Sequence, residues 1–292
     1  LKANVSFYLK NQTKTAMVLI QFLTGKHLIH FSLALMLLPF SPQNTPPAQA
    51  DNSAAEQTAV QRASVEGAWQ LSSQTGKAEA GLAGATAVQI VQDGYFTVAY
   101  YDLKGKRFIG TYGGTYQLTN GQITVQHEFN TLDSTKVGQT FTGKQALQNG
   151  KWQLTGIRGT GDETETWEKV QADGTSPLAG TWRITGRLDP DGKMSTMQPG
   201  PRKTLKMLSD NRFQWIAFNS ETAEFFGTGG GTYTAKDGKY TENIEFFSRD
   251  SSRVGAQLTF DFKREGNNWH HSGLSSTGKP INEVWQKQSD QK

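Results

Sequence analysis

Three side chains able to do chemistry, Glu242, His271 and Glu283, stand in stretches where polar and apolar residues alternate. YTENIEF (240–246) places Tyr240, Glu242, Ile244 and Phe246 on one face. WHHSG (269–273) pairs Trp269 with His271, and INEVW (281–285) groups Ile281, Glu283 and Trp285. Residues at i and i+2 of a strand share a side. In 240–246 this is the more apolar side, so the reading turns Glu242, His271 and Glu283 inward. A buried carboxylate costs several kcal/mol unless it is paired, hydrogen-bonded or protonated. Two carboxylates and an imidazole on one lining could hold a ligand's polar head or a metal, or do acid–base work. They could also be hydrogen-bonded plugs. Phe213 and Trp215 share another strand face and suit a cavity wall. The candidate ligand-binding set is therefore Phe213, Trp215, Tyr240, Glu242, Trp269, His271 and Glu283. No catalytic residue, metal site or cofactor is assigned.

A second motif, GTGGGTY (227–233), raises the question of a phosphate cradle. No Lys-Ser/Thr follows it, and it leads into a strand pattern instead of a helix, so that reading fails. A strand bend or bulge is expected there. DPDG (189–192) resembles the start of a calcium loop without the remaining ligands and reads as a turn.

The elements that must position these residues are written twice. FIGTYGGTYQLTNGQITVQHEF (108–129) aligns with FFGTGGGTYTAKDGKYTENIEF (225–246) at an offset of 117, with 11 of 22 positions identical. The same offset relates Asp93 to Asp210, Phe96 to Phe213, Trp152 to Trp269 and Gly156 to Gly273. An offset of 118 relates Glu165 and Trp167 to Glu283 and Trp285, and GAW (67–69) matches GTW (180–182). The chain is thus a tandem duplication. Copy one puts Val125 and Leu154 where copy two has Glu242 and His271, and carries His127 as an extra inward polar group.

Each copy alternates throughout, with Asn-Gly and Asp-Gly hairpin signals in LTNGQ and AKDGK. The predicted fold is all-β: two tandem small antiparallel up-and-down barrels, each of roughly eight or more strands, with a sandwich as the alternative. The expected boundaries are a secretory leader over 1–50, a flexible tether over 51–64, barrel one over 65–170, a linker over 171–178, barrel two over 179–288 and a tail over 289–292.

Charge and composition constrain the partners. The formal net charge is +4, but Lys2, Lys10, Lys14 and Lys26 lie in the first fifty residues, which hold no acid. The rest is balanced, which argues against nucleic acid as a partner. Lys26, the apolar run 28–40 and the small residues Ala48 and Ala50 form a signal-peptide pattern. That run is too short to span a bilayer comfortably. Export to the periplasm or exterior is expected, with cleavage after Ala50 and no membrane span afterwards. With no cysteine in this sequence, neither a lipoprotein anchor nor disulfides are expected.

Copy two resembles a bacterial secreted lipocalin-like domain family of uncharacterised function. The motifs are GTW (180–182), Phe213/Trp215, GGTY (230–233), YTENIEF, WHHSG and EVW (283–285). Copy one matches more loosely. The resemblance implies a calycin-type barrel whose interior holds a small apolar or amphipathic molecule. The resulting expectation is an exported, non-enzymatic small-molecule binder, with the second barrel favoured. The alternative is a cell-envelope interaction or scaffold module with filled barrels and an envelope protein as partner.

Overall fold

The computed structural model describes residues 5–7, 18–20, 49–76, 82, 84–159, 161, 163–171, 174–189 and 191–288. The apolar run 28–40 and the tail 289–292 lie outside these residues. Near the N-terminus, β1 (Val5–Phe7) and β2 (Val18–Ile20) pair antiparallel. Residues 51–64, expected as a flexible tether, instead belong to a helix, α1 (Gln49–Val65). Their alanines and glutamines favour helix even without a strong apolar stripe.

The first barrel is a closed meander of β3 (Gly67–Thr75), β4 (Thr86–Gln92), β5 (Tyr95–Asp102), β6 (Arg107–Thr119), β7 (Gln122–Asn130), β8 (Thr140–Gln148), β9 (Lys151–Thr155) and β10 (Thr164–Lys169). Strand β10 pairs back onto β3. The second repeats the plan with β11 (Gly180–Leu188), then, after a short hairpin partner β12 (Met194–Thr196), β13 (Arg202–Ser209), β14 (Arg212–Asn219), β15 (Phe225–Lys236), β16 (Lys239–Phe247), β17 (Gln257–Glu265), β18 (Asn268–Leu274) and β19 (Pro280–Lys287). Here β19 closes on β11. Both copies are eight-stranded up-and-down barrels, so full closure leaves the ladder without a free edge.

The repeated Gly-Trp opening works identically in each. Trp69 Nε1 donates to Val65 O and Trp182 Nε1 to Leu178 O, both at 2.9 Å, seating an indole across one barrel end. Asp133 and Asp250 cap equivalent single 3₁₀ turns, Ser134–Lys136 and Ser251–Arg253.

The Gly-Gly-Thr-Tyr motif forms the expected bulge. Register slips between Gly113 and Gly114 in β6 and between Gly230 and Gly231 in β15. A Cβ on Gly114 would lie 1.9 Å from Gln126 O, and one on Gly231 2.1 Å from Asn243 O. No side chain fits either space. The slip also corrects the alternation expected for 240–246. Tyr240, Glu242 and Ile244 point inward, but Phe246 turns outward and Phe247 takes the inner face. Phe129 of copy one turns out in the same way.

These displaced rings dock the barrels about a pseudo-two-fold axis. Phe129 packs on Phe218 and Tyr101 on Phe246, each with ring centroids 4.9 Å apart. Phe108 stacks on its own counterpart, Phe225. Near the axis, Gln214 accepts from Thr97 Oγ1 (2.8 Å) and donates to both Thr111 (2.9 Å) and Thr228 (3.0 Å). Asp93 and Asp210, in equivalent turns, each reach across to the other barrel, accepting from Thr181 N (2.7 Å) and Ala68 N (2.5 Å). The interface is self-complementary in the manner of a homodimer, although one chain supplies both halves.

Gly231→Ala is expected to lower stability by roughly 3 kcal/mol, because it adds left-handed strain to a backbone clash. Gly200→Ala, with nothing within 4 Å of the added methyl, should stay within about 0.5 kcal/mol. Urea titrations of both variants check this; equal midpoints would show that the bulge does not require glycine.

Candidate functional site

All seven candidate residues lie on the inner face of the second barrel, where Phe213, Tyr240 and Trp269 belong to its buried core and Trp215 is half-buried against it. Glu242, His271 and Glu283 are buried too, but they form two separate pairs instead of one triad. Glu242 Oε1 accepts from Lys206 Nζ (2.9 Å) and Tyr240 OH (2.8 Å). The Lys206 ammonium also lies 5.1–5.3 Å from the ring centres of Tyr240, Trp269 and Trp285. Such aromatic faces compensate part of the lost hydration of a buried cation.

Glu283 is held on both oxygens. Oε1 accepts from Arg187 Nε and Nη2, each at 3.1 Å. Oε2 takes Trp285 Nε1 (3.1 Å) and His271 Nδ1 (3.3 Å). Burial, reinforced by the Lys206 charge, lowers the His271 pKa. Burial pushes Glu283 up, yet His271, Lys206 and Arg187 outweigh it and hold the carboxyl below its usual range. The imidazole is thus neutral, with its proton on Nδ1 toward Glu283 and Nε2 left as an acceptor. Among the described residues, neither His271 Nε2 nor Trp269 Nε1 has a hydrogen-bond partner.

Lys206 and Arg187 were not legible as members of this cluster. Lys206 sits in KTLKMLSD, where alternation with Leu208 marks an inward position, but a lysine there reads as solvated. The bulge in β11 between Ile184 and Gly186 sets Arg187 opposite Glu283, and no pattern in the sequence marks that bulge. No group of three or more His, Cys, Asp or Glu arranged to hold a metal occurs among the described residues.

Trp215 owes its place to the first glycine of the GGG run. A Cβ on Gly229 would lie 2.8 Å from Trp215 Nε1, and the two residues are direct cross-strand partners. In copy one the same pair is Val98 with Tyr112, so small and large have exchanged strands while the volume is kept.

The two interiors differ most at the barrel end opposite the Gly-Trp opening. In the second barrel, Thr204, Trp215, Ala217, Phe247, Leu258 and Ile281 are only half-buried. At an offset of 117, or 118 for the last, the first barrel has Ala87, Val98, Tyr100, Asn130, Phe141 and Glu163. Of these, all but Phe141 are buried. The difference lies in the loop before the last strand. In copy one, Ile157 is 2% exposed and Arg158 3%, and Arg158 Nε meets Glu165 Oε1 at 3.1 Å inside the barrel. In copy two the residue matching Ile157 is Leu274, 57% exposed. The first barrel is stoppered by its own arginine; the second is a cup with apolar walls and a charged floor.

A separate cleft of about 450 Å³ lies outside both barrels, beside α1. Its charges are occupied: Glu66 accepts from Asp93 N (3.0 Å), and Lys287 Nζ lies 3.5 Å from Asp93 Oδ1.

Two predictions follow from the buried charges. Lys206→Gln leaves Glu242 unpaired and should cost about 3 kcal/mol or more. Adding Glu242→Val, which completes the copy-one combination Gln89/Val125, should recover at least about 1 kcal/mol of that loss; a purely additive double variant in denaturant titrations would refute the pairing. His127 in the first barrel has its pKa lowered by burial, then by Lys136, from 6.5 to about 4. Its contribution to stability is complete above the unfolded pKa and is lost as pH falls from 6.5 toward 4, approaching roughly 3 kcal/mol. His127→Ile, the copy-two residue, should flatten that part of the acid dependence of the urea midpoint, and an unchanged slope would exclude His127 as its source.

Comparison with known proteins gives a family match for the second copy. Residues 177–292 match a family model described as Domain of unknown function (DUF4488). A solved lipocalin-like protein from Bacteroides uniformis is similar at 14% identity, covering 38% of this chain and 98% of that one, with a TM-score of 0.28. No curated protein matches. The chain carries two eight-stranded up-and-down barrels in tandem, and its second copy matches a domain family of unknown function.

Proposed function

We propose that the protein binds a small, mainly apolar molecule in the cup of the second barrel and that the first barrel serves as its structural partner. One observation carries this reading: the places of buried Val98, Tyr100, Asn130 and Glu163 in the first barrel are taken in the second by half-exposed, apolar Trp215, Ala217, Phe247 and Ile281. Apolar walls over a few oriented polar groups are the usual composition of a small-molecule site. The reading is binding instead of catalysis: both carboxylates are engaged with neighbours inside the protein, and His271, held by Glu283 through Nδ1, offers Nε2 as a hydrogen-bond acceptor for a ligand. The leader pattern over 1–50 adds export to the proposal, so the ligand is one met in the periplasm or outside the cell.

Ala217 stands at the place where the first barrel has Tyr100. Ala217→Tyr should therefore fill the cup as the first barrel is filled. The neutral dye N-phenyl-1-naphthylamine is expected to bind the parent protein with enhanced fluorescence and to bind the variant at least ten-fold more weakly, at a similar melting temperature. Equal dye binding by both proteins would place the site elsewhere.

A further inference from the structure

We propose that the molecule held by the second barrel is electrically neutral, with a hydroxyl head and an apolar body; this rests on the binding reading above. The charges that line the cup come in closed pairs. Lys206 is matched by Glu242 at 2.9 Å and Arg187 by Glu283 at 3.1 Å. His271, neutral beside Glu283, adds no charge. Arg202 is exposed and stacks on Phe226, 4.6 Å from the ring centre. The floor therefore has two cations and two carboxylates, with no surplus of either sign.

That balance decides which head group can enter. A carboxylate or phosphate head would have to take Lys206 from Glu242 or Arg187 from Glu283, leaving a buried protein carboxylate without its partner. An amine head would strand a cation in the same way. Breaking one member from a buried pair is strongly unfavourable, and the incoming ion must shed its own hydration as well. An uncharged head avoids both costs.

The unsatisfied polar atoms narrow the class further. His271 Nε2 is a buried acceptor and Trp269 Nε1 a buried donor; neither has a partner among the described residues, and their rings are 5.2 Å apart, centre to centre. A hydroxyl is the simplest single group that donates to one and accepts from the other. Above them, Trp215, Phe247, Leu258 and Ile281 offer apolar surface for a hydrocarbon body.

The test uses the full chain and a matched pair of probes, 1-dodecanol and dodecanoate, which differ only at the head. Both are titrated as competitors of N-phenyl-1-naphthylamine at pH 7.5. Dodecanol is expected to displace the dye at a concentration at least ten-fold lower. In Glu242→Gln, where Lys206 loses its counter-charge, the preference should shift toward dodecanoate by ten-fold or more. Should that variant fail to fold, Glu283→Gln at the more exposed Arg187 pair serves the same purpose. Equal or tighter binding of dodecanoate by the parent protein overturns the neutral-head inference and leaves the binding reading standing. Failure of the dye and both probes to bind removes the binding reading and this inference with it.

Discussion

The absence of a side chain at Gly114 and Gly231 is the constraint on which the rest of the molecule depends. At each, a carbonyl oxygen of the next strand occupies the space a Cβ would need. The resulting bulge adds a residue to the strand, and a single added residue exchanges the two faces beyond it. Tyr240, Glu242 and Ile244 thereby stay inside the barrel while Phe246 moves out to meet Tyr101. Without the bulge, the outer face would lose the aromatic ring that docks the barrels, and the inner face would carry one phenylalanine at a different height. Both glycines govern which rings dock the barrels, and Gly231 alone also sets which phenylalanine lines the inside of the second.

Once the barrels dock through identical faces, the duplication has used its symmetry, and the interiors are free to diverge. Nothing in the Gln214 cluster or the Asp93 and Asp210 caps depends on what fills either barrel. The first barrel became a packed body: Tyr100 and Tyr112 fill its middle, Ile157 and Arg158 close its end, and its inner carboxylate Glu165 is neutralised internally. The second kept the carboxylate and its indole partner, since Trp167 to Glu165 and Trp285 to Glu283 are the same 3.1 Å bond. It changed the residues around them. Glycine replaced Tyr112, alanine replaced Tyr100, and Leu274 turned to solvent where Ile157 had turned in. Ala217 in place of Tyr100 and the outward turn of Leu274 remove volume from the same end of the barrel, whereas the glycine in place of Tyr112 is offset by Trp215 in place of Val98.

The repeat, the barrels and the inward set were legible because they rest on period-two alternation and on a register of 117 that chance does not produce. Glu242, His271 and Glu283 could be placed inside from their neighbours alone. Their partners could not. Lys206 looks solvated in a sequence, since only the opposite wall, 36 residues away, explains why a lysine can be buried there. Arg187 reaches Glu283 through a bulge at Gly186, a lone glycine that alternation does not single out. Phe246 was misassigned inward because alternation was carried through a slip that the Gly-Gly pair announces but does not locate. The helix over 51–64 was missed for a different reason: its composition favours helix, but its polar residues show no period.

The charged floor argues about purpose by comparison with its own copy. Replacing a buried ion pair with apolar groups of similar size is commonly neutral or stabilising. The first barrel provides an uncharged replacement within the same fold, with the neutral amide Gln89 and the apolar Val125 and Leu154 at the places of Lys206, Glu242 and His271, all three buried. Stability alone therefore gives no reason for the second barrel to hold Lys206 against Glu242. What the pairs add is a rigid polar surface at a fixed depth, oriented by three aromatic rings and closed to further charge. Such a floor can distinguish one polar head from another beneath walls that would accept any hydrocarbon, and a barrel interior of leucine and valine cannot.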